Sequence, residues 1–120
     1  MEIVANFFSY VNMSFIMVMI IVISIDYLTG VLKAICLKKL NSTVGYIGIV
    51  KKCAIVLLLV AVYGIDVIAG SKGLLFNTVT IFYVINEVLS IIENLGAMGI
   101  PIPKIIIDTL DKLKDGGKNV

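Results

Sequence analysis

Three apolar segments, each close to the length of a helix that crosses a lipid bilayer, limit what this chain can fold into. The first runs from about Phe7 to Cys36, with VNMSFIMVMIIVISI as its most lipophilic part; the second is CAIVLLLVAVYGIDVIA, Cys53 to Ala69; the third is LLFNTVTIFYVINEVLSIIENL, Leu74 to Leu95. About 20 apolar residues, or about 17 at the short end, cross a hydrocarbon core of roughly 30 Å. Hydrophobic residues make up 60% of the 120 positions, and the mean hydropathy is +1.11. A soluble domain of this size cannot bury that much apolar surface. The chain therefore reads as an all-α integral membrane protein in one domain, 1–120, with three transmembrane helices over about 7–36, 53–69 and 74–95. Glu2 stands where a signal peptide would be basic, and no A-x-A cleavage pattern follows, so the first run is expected to stay in the mature protein.

The connections have different characters. In LKKLNSTVGYIGIVKK, residues 37–52, the polar and small residues Asn41, Ser42, Gly45 and Gly48 interrupt the apolar pattern. They predict a loop carrying Lys38, Lys39, Lys51 and Lys52, with Asn41 to Thr43 placed to cap the next helix. GSKG, residues 70–73, predicts a tight turn and an antiparallel hairpin. Lysines crowd the first connection and the C-terminal tail, so the positive-inside rule predicts an external N-terminus and a cytoplasmic C-terminus. In GAMGIPIPK two glycines, with Pro101 and Pro103 as terminators, are read to end the third helix. Beyond them, KIIIDTLDKLKD sets Ile106, Leu110 and Leu113 opposite Lys104, Asp108, Asp111 and Asp115. This predicts a short amphipathic helix over 103–115, lying on the membrane surface or against a neighbour.

The chemistry available is narrow. A net charge of +2 is too small to suggest nucleic acid, and there is no histidine. Cys36 and Cys53 lack metal-ligand spacing, and neither a nucleophile elbow nor a phosphate-binding glycine loop is present. No enzyme activity, cofactor or metal is expected.

Charge inside the spans is the more informative signal. Asp26, Asp66, Glu87 and Glu93 fall in predicted helices, where an ionised group at the bilayer centre costs roughly 2.5–3.5 kcal/mol. Asp66, four residues from Gly70, is expected to reach the outer interface. Asp26 and Glu87 lie at similar depth, and Lys33, Lys51 and Lys52 approach from the same side. Their long stems can snorkel, so a charge cluster is expected, within one subunit or between subunits; Asp26 and Glu87 are predicted to mark the packing surface between subunits. On the third helix Asn77, Thr80, Tyr83, Glu87, Ser90 and Asn94 recur every three or four residues, widened by Asn86 and Glu93. Lipid offers no hydrogen-bond partners, so this stripe must face protein or water, and self-association follows as an expectation. On the first helix Gly30 and Ala34, with Thr29 beside them, form a small-xxx-small contact device.

Five pieces in order, DYLTGVLKA (26–34), KKLNSTVGYIGIVKK (38–52), the aspartate of GID (64–66), NEVLSIIEN (86–94) and MGIPIPK (98–104), resemble the holin family of phage lysis and clostridial toxin-secretion proteins. The resemblance implies a small protein of the bacterial cytoplasmic membrane that associates with lipids and further copies of itself. It then opens lesions that release an endolysin or a large toxin. Two other classes stay open at this point: a small proton- or ion-coupled transporter using Asp26 or Glu87, and an anti-holin or assembly subunit that opens nothing.

Overall fold

A computed structural model describes residues 13–114. The predicted start of the first span at Phe7, Asp115 and the terminal GGKNV lie outside the described residues. Among the described residues four helices follow one another: α1 (Met13–Cys36), α2 (Ser42–Ala69), α3 (Leu74–Ala97) and α4 (Lys104–Lys114). No strand occurs among the described residues. The first three contain 24, 28 and 24 residues, about 36, 42 and 36 Å at 1.5 Å per residue. Each is long and apolar enough to cross a membrane.

The predicted loop over 37–52 is corrected. α2 begins at Ser42, so Ser42, Gly45, Gly48, Lys51 and Lys52 are helical, and only Leu37 to Asn41 connect α1 to α2. The start is set by Asn41, whose extended backbone and side-chain oxygen accepting from the Thr43 N–H (2.8 Å) make it the N-cap. The two glycines cost the helix about 1 kcal/mol each relative to alanine, but they are followed by an unbroken apolar run. Gly45 faces α1: a Cβ there would make ordinary contact with the Tyr27 hydroxyl, at 3.8 Å.

Glycines in the left-handed region end two helices. Gly70 (φ +71) closes α2, with the Ser71 N–H donating to the Asp66 carbonyl and the Gly70 N–H to that of Val67. Gly99 (φ +88) closes α3 in the same pattern, the Ile100 N–H reaching the Leu95 carbonyl and the Gly99 N–H that of Gly96. Of the glycines and prolines expected to end this helix, the glycine makes the turn and the proline part is corrected: α3 ends at Ala97 with Met98 as its C-cap, and Pro101 and Pro103 sit in the non-helical link that delays α4 until Lys104.

Asp66 does not reach solvent as a surface carboxylate. It is 2% exposed, and its oxygens accept from the Ser71 hydroxyl (2.8 Å), the Gly73 N–H (2.8 Å) and the Phe76 N–H (2.7 Å). The last of α2 thus caps the first turn of α3, where free N–H groups and the positive helix end favour an anion. Just below, Tyr63 and Phe76 meet edge to face at 5.5 Å and join Met19, Val22 and Leu59 in the apolar core. α3 is the central helix, packed along α1 and α2, while α1 and α2 touch each other little. Of the apolar positions on α4 only Leu110 is buried; Ile105 and Leu113 are exposed. Asp66→Leu is expected to destabilise the bundle by roughly 1–3 kcal/mol for each of the two buried N–H groups it orphans. Asp66→Asn, which can still accept, should retain more; denaturant titration of helicity in mixed micelles checks both.

Candidate functional site

The polar residues of the three spans converge on one ammonium. Lys52 of α2 donates to Oδ2 of Asp26 on α1 and, at 2.6 Å, to Oε2 of Glu87 on α3. One side chain thereby ties together all three membrane helices. Asn94, two turns after Glu87 on the same face of α3, donates through Nδ2 to Asp26 Oδ1 (3.2 Å) and to the Thr29 hydroxyl oxygen (3.0 Å). The Thr29 hydroxyl in turn donates to the Asp26 carbonyl (3.0 Å), and Ser90 adds a hydroxyl beside the Asp26 carboxylate. Asp26, Thr29, Glu87 and Asn94 are all buried.

This arrangement is an electrostatic clasp. Two carboxylates answer one ammonium, and the amide of Asn94 occupies the carboxylate oxygen that Lys52 leaves. Removing one partner of a buried pair costs about 3–5 kcal/mol because a charge is stranded in a low-dielectric setting, whereas replacing the whole set by apolar groups can be neutral. The clasp sits about 15 Å from Cys36 and from Ala97, ten residues along each helix, and so well inside the helical bundle and away from its ends.

The sequence expectation of a cluster is met within the chain. Of the three candidate lysines only Lys52 enters it; Lys33 is half-buried and Lys51 exposed. Asp26 and Glu87 are enclosed by their own helices, so their expected place on the packing surface between subunits gives way to packing inside one subunit. Gly30 likewise faces inward: a Cβ there would lie 3.7 Å from Asn94 Nδ2. Ala34 is half-buried, and Glu93 is exposed. Thr80 is 1% exposed, and its hydroxyl oxygen meets no partner among the described residues. Tyr83 packs on the apolar core and, edge to face, on Phe82. Lys38 and Lys39 lie exposed in the short connection.

The choice of Lys52 was readable in principle. Lys52, Ile55, Leu59, Val62 and Asp66 recur at helical spacing on one face. Starting α2 at Cys53 cut that face off from its lysine.

Between α1 and α2 a groove of about 280 Å³ opens, walled by Ile16, Ile20 and Ile23 on one side and Val56 and Val60 on the other, with Phe76 and Thr80 among its lining. It offers no titratable carboxylate or amine. Among the described residues no three His, Cys, Asp or Glu side chains gather as metal ligands would, and both cysteines are free and exposed.

Residues 3–115 match the family model described as the bacteriophage holin family. The chain is 35% identical over 107 residues to a probable holin of Bacillus phage phi105, covering 89% of this chain and 79% of that protein. It is 37% identical over 101 residues to an uncharacterised protein of Clostridium perfringens (83% and 75% covered) and 33% identical over 118 residues to one of Bacillus subtilis (96% and 84%). No solved structure matches it.

Lys52→Met is expected to lower bundle stability by about 3–5 kcal/mol. The triple change Asp26→Asn, Lys52→Met, Glu87→Gln should recover much of that loss. Denaturant titration of the purified proteins in micelles compares them; equal losses for single and triple variants would remove the clasp from the account.

Proposed function

The chain belongs to the bacteriophage holin family, and from that premise we propose that it collects in the bacterial cytoplasmic membrane and opens lesions between its own copies. Through these an endolysin, or a secreted toxin, leaves the cell. The observation that carries this reading is the inward use of the polar stripe. Asp26, Lys52, Glu87, Asn94 and Thr29 bind one another inside a single chain, so one copy is a closed unit and conduction has to arise where copies meet. The clasp keeps each unit intact while copies accumulate. The ends are oriented by lysine: Lys38 and Lys39 stand at the α1–α2 connection and Lys104, Lys112 and Lys114 on α4, against Lys72 alone at the opposite turn. This puts that connection and α4 in the cytoplasm and the α2–α3 turn outside.

Expression in a bacterium, followed with a potential-sensitive dye, is expected to collapse the membrane potential, and co-expression with an endolysin to lyse the cells. Protein that reaches the inner membrane and produces neither effect would overturn the reading and point to an anti-holin or assembly subunit.

A further inference from the structure

α3 has a second line of residues that its own chain covers only in part. About 100° around the helix from the buried line of Glu87 and Asn94, Leu75, Val79, Phe82, Asn86, Leu89 and Glu93 recur at spacings of 4, 3, 4, 3 and 4. This is the a/d pattern of a two-helix coil. Phe82 is 52% exposed, Leu75 36%, and Glu93 is exposed; Asn86 and Leu89 are half-buried, and Val79 at the edge of the line packs on the chain's own apolar core. Among the described residues the Asn86 amide has no hydrogen-bond partner and Glu93 no ion pair. Asn86 lies near the middle of the span, about 18 Å from Leu74 and 16 Å from Ala97. An open amide at that depth has nothing in lipid to bond to.

We propose that this seam is where two copies join, α3 against α3 in parallel, with Asn86 bonded to Asn86 of the other copy; this deepens the reading under which copies assemble. The occupant follows from the chemistry of the seam. An amide carries both donor and acceptor, so the group it fits at equal depth on a twofold axis is another amide, and a single asparagine at such a position sets register. Glu93 at the next equivalent position would repel its counterpart. Lys51 offers the opposite charge: exposed, and without an ion pair among the described residues, it is the neighbour in sequence of the lysine that holds Glu87. Its stem can reach toward the Glu93 level of the adjoining copy.

The test uses the full chain in lipid vesicles, in a Cys36→Ser, Cys53→Ser background, with one cysteine restored on the seam (Phe82→Cys) or at similar depth off it (Leu57→Cys). Oxidation is expected to give a covalent dimer chiefly from Phe82→Cys. Adding Asn86→Leu should weaken association roughly 3- to 30-fold, and Asn86→Gln should largely preserve it, with helicity unchanged in both. Equal cross-linking at the two sites, dimers chiefly from Leu57→Cys, or indifference to Asn86→Leu would overturn the seam. Dye leakage from the same vesicles separates the two readings. Seam-specific dimers without leakage uphold the seam and count against lesion formation; leakage with cross-links off the seam does the reverse.

Discussion

A single ammonium held between two carboxylates inside a bundle of apolar helices is the constraint on which the rest of this bundle depends. Lipid supplies no counter-charge, so Asp26, Lys52 and Glu87 have to meet. That requirement sets the rotation of all three helices about their axes. With Asp26 turned inward, Thr29 and Gly30 also face α3, and Asn94 finds both the carboxylate and the Thr29 hydroxyl. With Lys52 turned inward, α2 is already helical before the run that begins at Cys53, and the Asn41 cap starts it at Ser42.

The other end of the bundle is held by a different device. There, a carboxylate at the end of α2 accepts from the first N–H groups of α3, so the turn at 70–73 is locked without any cation. Between the two polar anchors the contacts are apolar, and α3 collects most of them. The groove between α1 and α2 follows from this division: both helices are tied to α3, and the clasp gives them a common point only near Lys52.

Much of this was legible from residue order. Apolar length predicted the number of spans, and the equal depth of Asp26 and Glu87 predicted a cluster. Two things were not. Gly45, Gly48 and the polar residues around Asn41 carry the signature of a loop in water, yet a helix that stays in or near lipid keeps its backbone bonds internal, and the local cost of two glycines is outweighed. Asp66 sat close enough to a helix end to pass for a solvated charge; its burial depends on the N-terminus of α3 folding back over it, a contact across the turn that spacing along one helix does not reveal. The cap at Asn41 was legible, but with 37–52 read as a loop and the span begun at Cys53 the partner choice of Lys52 over Lys33 and Lys51 was lost, because a rotation can be assigned only to a residue already placed on a helix.

The stripe on α3 also divides into two surfaces that a sequence reading merges. Glu87 and Asn94 are consumed inside the chain, while Asn86 and Glu93, one residue before each, are turned away by about 100°. The inner pair cannot serve association without breaking the clasp, at a cost of several kcal/mol. The outer pair can serve it without disturbing the clasp. Accumulation of intact units and contact between them are therefore separable properties of one helix, set by adjacent residues. A chain organised this way can associate while each copy remains closed, and the clasp is the interaction that any further rearrangement of the helices would have to open.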